Sequence, residues 1–194
     1  MNPWKLFTQF REGKQTAGVA EVTTKKPASI LDRYLNTLPT PQNAVDIFGG
    51  EWASQFPESV AAVHAGTIPL FDDARVHWWK EMVGGFDGQT VLELGPLEGG
   101  HSYMLERYGA QSVLAIEANT RAYLRCLITK EILELKRVRF VCGDFMEYMR
   151  QEKTQFDLGV ASGVLYHMSN PIEMLGLLTR LTRKHIFLWT HYYQ

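Results

Sequence analysis

Residues 90–100 have the sequence Thr-Val-Leu-Glu-Leu-Gly-Pro-Leu-Glu-Gly-Gly, and this stretch decides the fold that we predict. The apolar run from Thr90 to Leu94 indicates a buried strand, and the glycines after it precede a predicted helix at residues 101–108. A strand, a tight glycine turn and the start of a helix bring backbone N–H groups and the positive end of a helix dipole to one point. Such a point suits a nucleotide-like ligand.

Further units of strand and helix follow the glycine turn. Apolar runs predict strands at residues 112–116, 137–142, 156–161 and 185–190. Amphipathic stretches predict helices at residues 120–135, 144–151 and 171–181. This alternation predicts an α/β fold, in which a doubly wound, Rossmann-like parallel sheet of about five strands is covered on both faces. We expect the strand order 3-2-1-4-5, with ligands bound at the carboxyl ends of the strands.

The part of the chain before the glycine turn is predicted to be helical. Cap residues and stops at proline or glycine predict helices at residues 29–38, 40–49 and 57–65, and a fourth that is capped by Asp72 or Asp73. We therefore divide the chain into an N-terminal segment that is poorly structured or docks on the body (1–28), a helical cap (29–88) and the sheet domain (89–194).

Composition and charge narrow the classes of partner. The chain has 194 residues, 45% of them apolar, and a net charge of −1, which does not favour nucleic acid or an anionic membrane. Cys126 and Cys142 are interpreted as small core residues of a reducing compartment, and no metal site is predicted because no histidine has ligand spacing with them. Without a secretory signal or an apolar run of ~20 residues, we expect a cytoplasmic protein with no membrane partner.

Residues suited to a cofactor follow each of the first four predicted strands. Gly95 and Gly99 flank the first turn, and Glu117 at the end of the second strand suits the two hydroxyls of a ribose. Asp144 and Phe145 after the third strand could bond an exocyclic amine and cover a purine face. A loop with the sequence Ser-Gly-Val-Leu-Tyr-His, residues 162–167, follows the fourth strand. Since carboxyl ends of parallel strands meet at one edge, these groups are predicted to form one site.

In this order the residues resemble the class I S-adenosylmethionine-dependent methyltransferases over about residues 90–190. The loop at residues 163–167, followed by Asn170-Pro171, is similar to that of the wobble-uridine tRNA (carboxy)methyltransferase subgroup. The resemblance implies S-adenosyl-L-methionine as cofactor, and it implies catalytic roles for Tyr166 and His167. The cofactor-binding residues that it implies are Glu93, Gly95, Leu97, Gly99, Glu117, Ala118, Asp144, Phe145, Ser162, Gly163 and Arg75.

The sequence departs from that family at two points. Leu97 occupies the position of the middle glycine of the family turn, and it can be accommodated there if its side chain points away from the ligand. The chain ends at Gln194, where the family normally adds a helix and a β-hairpin, so we expect that hairpin to be missing. Either the chain is truncated, or the N-terminal helices or a homodimer partner cover the edge of the fifth strand.

Several roles remain open on the sequence alone. Methyl transfer needs a base only when the acceptor must lose a proton, and Tyr166, His167 and His101 are the candidates. Arg75 could meet the cofactor carboxylate, or it could pair with Asp72 or Glu81. We favour a small-molecule acceptor, a sugar or another metabolite. The alternatives are a tRNA-modifying (carboxy)methyltransferase, a nicotinamide-dependent oxidoreductase, and a non-catalytic interaction protein on a methyltransferase scaffold.

Overall fold

A computed structural model describes residues 34–191 of the chain. Its centre is a five-stranded sheet in the order β3-β2-β1-β4-β5, with every neighbouring pair parallel. The predicted α/β fold and strand order are confirmed. The elements in chain order are α1 (Pro41–Val45), α2 (Ala74–Val83), β1 (Thr90–Leu94), α3 (Gly100–Arg107), β2 (Ser112–Glu117), α4 (Thr120–Ile132), β3 (Val138–Cys142), α5 (Phe145–Gln151), β4 (Phe156–Ser162), α6 (Pro171–Leu181) and β5 (Thr182–Trp189).

Helices cover both faces of the sheet, and the strands alternate between them. Val91, Val113 and Val160 point to one face, where they pack against α2, α3 and α4. Leu92 and Ala161 point to the opposite face, where α5 and α6 complete a second core. Because successive strand side chains point to opposite faces, a run that is apolar throughout becomes a strand buried on both sides. This explains why β1 could be located from its sequence.

Two boundaries of the sheet domain differ from the sequence prediction. Helix α4 ends at Ile132 because Glu134 takes a left-handed conformation (φ +52°) and turns the chain toward β3. Strand β5 begins at Thr182, directly after α6, rather than at His185. Its first residues lie on an open edge and are exposed and charged, so the hydrophobic pattern marked only its second half.

The predicted helical cap is only partly correct. Thr40 caps α1 and Asp73 caps α2, as the sequence indicated. The helix predicted at residues 57–65 is wrong, since only Glu58–Val60 forms a short 3₁₀ turn. The helix predicted at residues 29–38 is wrong over residues 34–38, which are not helical, and its remainder lies outside the described residues.

Extended backbone takes the place of helix between α1 and α2. The N–H of Gln55 donates to the carbonyl of Ile68 (2.8 Å), and the N–H of Ile68 donates to the carbonyl of Ala53 (2.9 Å). Because this pairing holds residues 53–55 beside residues 66–68, the residues between them must turn back, which a continuous helix over residues 57–65 would not do. The pairing joins residues 12 or more positions apart, which a local propensity argument does not see.

The interpretation of the two cysteines holds for one of them. Cys126 is buried within the core on the α4 side of the sheet. Cys142 is exposed, and its placement in the core is wrong because it is the last residue of β3, an edge strand, beyond the cover of the helices. Within residues 34–191, no helix is both long enough and apolar enough to cross a membrane.

Candidate functional site

The glycine turn after β1 is held in a compact, left-handed conformation. Gly95 has φ +63° and Gly99, which precedes α3, has φ +81°. A Cβ on Gly99 would lie 2.8 Å from Cζ of Phe140, so the close packing of the turn against β3 requires glycine there. The turn therefore brings the start of α3 to the carboxyl end of β1.

Leu97 occupies a glycine-like conformation within this turn. Its φ is +59°, a value that costs a non-glycine residue about 1–2 kcal/mol. The side chain is 41% exposed, and the backbone is anchored on both sides. The N–H donates to Oε2 of Glu117 (3.1 Å), and the carbonyl accepts from the thiol of Cys126 (3.6 Å). The turn thus keeps its path without a glycine, and the leucine side chain lies outside it.

The second and third strand ends lie beside the turn. Glu117 is buried, and its Oε1 accepts a hydrogen bond from the N–H of Asn119 (2.8 Å). The N–H of Gly143 donates to the carbonyl of Glu117 (3.0 Å), which brings the two strand ends together. Asp144 is exposed and caps α5 by accepting from the N–H of Met146 (2.7 Å), while Phe145 is half-buried. Ala118, next to Glu117, is exposed.

The loop after β4 completes the edge. Gly163 has φ +76°, and its N–H donates to the carbonyl of Trp189 on β5 (2.8 Å). The hydroxyl of Tyr166 lies over Gly163, 3.1 Å from where a Cβ would stand. The rings of Tyr166 and His191 stack in parallel with centroids 4.3 Å apart, and His167 lies at 4.4 Å from Tyr166. Ser162 is the last residue of β4 and is half-buried.

A polar network stands behind this edge, between α2 and α3. Asp73 is 7% exposed and forms hydrogen bonds with Nε of Arg75 (2.9 Å) and with Nε2 of His101 (2.9 Å). Burial alone would raise the pKa of Asp73, but the hydrogen bonds from His101 and Arg75 outweigh it and hold that pKa well below its usual range. Arg75 also lies over the ring of Trp189, 4.8 Å from its centroid. It pairs with Asp73 instead of the Asp72 or Glu81 that the sequence suggested.

Glu93 of β1 is a second buried carboxyl group that interacts electrostatically with His101. Its carboxyl group is 2% exposed and accepts a hydrogen bond from the hydroxyl of Ser102. Burial raises the pKa of Glu93, and the charge of His101 only partly offsets that effect. His101 is thus hydrogen-bonded to a carboxylate whose ionised form is favoured, and it influences a second carboxyl group whose neutral form is favoured.

Strand register places this network relative to the edge. Glu93 pairs with Val160, and Val160 with Phe187, so the three side chains form one row on the same face of the sheet. The ring of His101 lies 6.4 Å from that of Phe187. Ser162 and Trp189 form the next row toward the carboxyl end of the strands, on the same face. His101 is therefore one row below the loop that holds Gly163.

The structure brings most of the sequence-predicted residues to one edge, whereas Glu93 and Arg75 lie in the polar network behind it. It also adds two carboxylates that the sequence analysis did not select. Asp73 was considered only as a helix cap, because its hydrogen bond to His101 depends on α2 lying beside α3. Glu98, inside the glycine turn, is 1% exposed and was not assigned any role. The local sequence carried no signal for its burial, since a charged side chain in a turn normally faces solvent.

Comparisons with known proteins agree with this geometry. A family model described as a methyltransferase domain matches residues 92–189, just over half of the chain. Among solved structures, the N-terminal domain of EvdMO1 with SAH bound is 21% identical with a TM-score of 0.58, over 73% of this chain and 60% of that chain. The [4+2]-cyclase SpnF is 21% identical with a TM-score of 0.50, over 56% and 40%.

A third similar structure is the YcgJ protein from Bacillus subtilis. It is 16% identical with a TM-score of 0.51, over 56% of this chain and 46% of that chain. At these identities the likeness concerns the fold, and the chain spans about 60% or less of the length of each of the three. No curated protein sequence matches the chain.

Proposed function

The chain belongs to the class I S-adenosylmethionine-dependent methyltransferases, and from that membership we propose that it transfers a methyl group to a small-molecule acceptor, a sugar or another metabolite. S-adenosyl-L-methionine is the cofactor of this family. The assignment of individual residues, the acceptor and the retention of catalysis are part of the proposal.

One observation supports the proposal above the others: four strand ends present their predicted groups at a single edge. The N–H of Gly95 donates to the carbonyl of Ile116 (2.9 Å), that of Leu97 to Glu117, and that of Gly143 to the carbonyl of Glu117. These contacts tie the turn after β1 to the ends of β2 and β3. A doubly wound sheet binds its ligand at such an edge, where the strand order reverses.

The residues at this edge fit the cofactor. Glu117 is a buried carboxylate at the end of β2, which suits ribose hydroxyls, and Asp144 with Phe145 follows β3, where the adenine is expected. A side chain on Gly143 would meet no atom within 4 Å, so the backbone there is open to a planar group. The exposed side chain of Leu97 does not fill the turn. Glu93, Gly95, Gly99, Ala118, Ser162 and Gly163 complete the proposed cofactor site.

The work of the protein in this reaction is mainly to position the acceptor. S-adenosyl-L-methionine supplies a methyl group that its sulfonium charge already activates, so holding the acceptor in line provides much of the rate. A hydroxyl acceptor must also lose a proton. His101 is suited to take it, because Asp73 binds Nε2 and leaves Nδ1 as the accepting nitrogen. Tyr166 and His167, on the exposed loop after β4, remain the alternatives.

The acceptor side of the site is proposed to be the aromatic group formed by Tyr166, His191 and His167. Tyr166 is 47% exposed, and its ring is stacked on that of His191. Exposed aromatic faces suit a sugar ring or another compact organic molecule, whereas the net charge of −1 gives no general attraction for RNA phosphates. Arg75 is held by Asp73 at this side, so we assign it to the wall between cofactor and acceptor.

Titration calorimetry with S-adenosylhomocysteine (SAH), the product form of the cofactor, tests the cofactor assignment. We expect the native protein to bind it, and Glu117→Ala and Asp144→Ala each to weaken binding by roughly 10- to 100-fold, since each removes charge-assisted hydrogen bonds of about 1.5–3 kcal/mol. Glu131→Ala, an exposed change on the far part of α4, is the control and should bind as native. The assignment is wrong if native protein does not bind, or if both site variants bind as tightly as native.

A transfer assay with labelled S-adenosylmethionine tests the acceptor. One structurally similar protein, the N-terminal domain of EvdMO1, was crystallised in the presence of SAH and D-fucose, which makes D-fucose and related sugars a first panel. Label in a sugar supports the proposal, and label in tRNA would support the subgroup that the loop at residues 163–167 resembles. Cofactor binding without transfer to any acceptor would favour a non-catalytic role. Once an acceptor is identified, His101→Ala, which removes the proposed base, should lower kcat by about 100-fold at unchanged SAH affinity.

A further inference from the structure

Glu98 is a buried carboxylate within the cofactor turn that faces away from the predicted cofactor. It lies between Leu97, whose backbone binds Glu117, and Gly99, which immediately precedes α3. The side chain of Leu97 is exposed, whereas that of Glu98 is 1% exposed. An ionised carboxylate at that depth needs several hydrogen-bond donors, because its transfer from water is costly unless it is paired.

Those donors come from the N-terminal part of the chain. Oε1 of Glu98 accepts from the N–H of Ala53 (3.0 Å), and Oε2 accepts from the N–H of Ser54 (2.8 Å). Nε of Arg125, on α4, lies 3.3 Å from Oε1 as an ion pair without hydrogen-bond geometry. Ser54 is fully buried where it meets the turn. The buried carboxylate of the turn is therefore bound by two backbone N–H groups of residues 53–54.

A second set of contacts holds the same segment against α4. Glu51 forms ion pairs with Arg121 and with Arg125 (3.3 Å). The guanidinium of Arg121 lies 5.3 Å from the ring centroid of Phe48, and that of Arg125 lies 5.9 Å from the centroid of Trp52. Residues 48–54, which we call the docking segment, thus rest on α4 and end on Glu98.

We propose that Glu98 is a positioning residue that couples cofactor binding to attachment of the docking segment. This inference rests on the proposed function, since it takes the turn at residues 95–99 as part of the cofactor site. If the docking segment leaves, Glu98 loses two backbone donors, and the turn loses the contacts that fix the residue next to Leu97. A turn without those contacts holds the N–H of Leu97 less firmly on Glu117, the residue assigned to the ribose. A cofactor that binds the ordered turn therefore stabilises the attached segment, and attachment raises cofactor affinity by the same factor.

The test measures SAH affinity and amide hydrogen exchange on the same proteins. In native protein, SAH should slow exchange at Ala53 and Ser54 by roughly tenfold, within the range of such couplings. In Glu98→Gln, which lacks the charge, SAH should bind roughly tenfold more weakly and should no longer slow exchange at those two amides. The experiment needs only SAH and the full chain.

A matched control comes from the opposite end of α3. Glu106 is also a buried glutamate that accepts from backbone N–H groups of a loop, those of Lys136, Arg137 and Val138. Its hydrogen bonds lie at the C-terminal end of α3, whereas the cofactor turn adjoins the N-terminal end, so Glu106→Gln should lower stability while leaving SAH affinity native. Equal loss of affinity in both variants would mean a general loss of stability and would overturn the inference.

The remaining outcomes are also decisive. Should Glu98→Gln fail to fold, the exchange measurement on native protein stands alone, and unchanged exchange at Ala53 and Ser54 on saturation with SAH overturns the coupling. Native protein that binds SAH while Glu98→Gln binds equally well overturns this inference and leaves the proposed function intact. Native protein that does not bind SAH overturns both.

Discussion

Residues 90–189 and residues 38–89 reach a packed structure by different means. The first region is a regular sheet with helices on both faces, and its core consists of apolar side chains at strand and helix spacing. The second has only two helices of α type, joined by extended backbone and short turns. It is attached by apolar residues of α2, which join the core on one face of the sheet, and at two buried polar points, from Asp73 to His101 and from the docking segment to Glu98.

The difference distinguishes structure that local apolar patterns specify from structure that depends on polar contacts between distant residues. A repeating apolar pattern specifies a layer of the sheet domain whatever its neighbours are. The position of a buried carboxylate such as Glu98 cannot be predicted from the local sequence, because it depends on hydrogen-bond donors from another part of the chain. We therefore expect changes in the first region to affect stability in proportion to the apolar area lost, and changes at the polar points to depend on pH and on the cofactor.

The largest effect is expected where an apolar contact joins the two regions. Trp79 of α2 is 4% exposed and stacks on Phe187 of β5, with ring centroids 5.2 Å apart. Trp79→Ala should lower the free energy of unfolding by about 3–5 kcal/mol, as measured by urea denaturation. Trp78, its neighbour, is 57% exposed, and Trp78→Ala should change stability by less than about 0.5 kcal/mol. Similar losses in both variants would contradict the packing of α2 described here.

A smaller, pH-dependent effect is expected at Asp73. Asp73→Asn keeps a capping side chain but loses the charge that pairs with Arg75 and His101, so stability at pH 7 should fall by about 2 kcal/mol. Because the pKa of Asp73 is lowered in the folded state, its contribution is complete above the unfolded pKa of about 4 and is lost progressively as pH falls from there through the folded pKa. Denaturation at pH 7 and pH 3 should show a smaller gap between native and variant at pH 3. A gap of constant size would refute the ionised pairing.

Glu93 should show the opposite dependence on pH. Its pKa is raised by burial, so above pH ~4.3 the unfolded chain releases a proton that the folded protein retains, and stability falls as pH rises toward the folded pKa. Glu93→Gln removes this loss and should stabilise the protein by about 1 kcal/mol at pH 7, with no gain near pH 4. The measurement is again urea denaturation at both pH values. A variant that is less stable at pH 7 than at pH 4, relative to native, would show that Glu93 is ionised and paired.

The smallest effect is expected at Leu97, in the turn itself. Leu97→Gly relieves the strain of φ +59°, about 1–2 kcal/mol, but adds about 0.5–1 kcal/mol of entropy cost, so the net gain should be about 0.5 kcal/mol. Leu97→Ala keeps a Cβ and the strain, and it should show no gain. Thermal unfolding of the two variants side by side makes the comparison. A glycine variant less stable than the alanine variant would mean that the leucine side chain holds the turn.

Much of the sheet domain could be predicted because its strands and helix caps are specified by a few neighbouring residues. Strand β1 was located to its last residue, and the predicted helices after β2, β3 and β4 begin at side chains that cap them, Asn119, Asp144 and Asn170. The predicted cofactor residues come together because parallel strands end at one edge, a rule that needs only the order of elements. Their functional roles remain predictions.

The errors fall where long-range contacts decide the outcome. The helix predicted at residues 57–65 is absent because Gln55 pairs with Ile68 and makes the residues between them a returning loop. Cys142 is exposed because β3 is an edge strand. His101 was one of several candidate bases on the sequence, and only the position of α2 gave it a carboxylate partner. In each case the deciding neighbour is distant along the chain.

The sequence by itself determined the order of strands and helices, the glycine turn and the identity of the groups at the edge, because periodic burial and helix caps act over a few residues. Only the tertiary structure decided that Glu98 faces inward to Ala53 and Ser54, that Arg75 pairs with Asp73, and that Leu97 takes a left-handed conformation. The reason is physical: a charge or a strained torsion is stable only in the presence of the partners that fold around it.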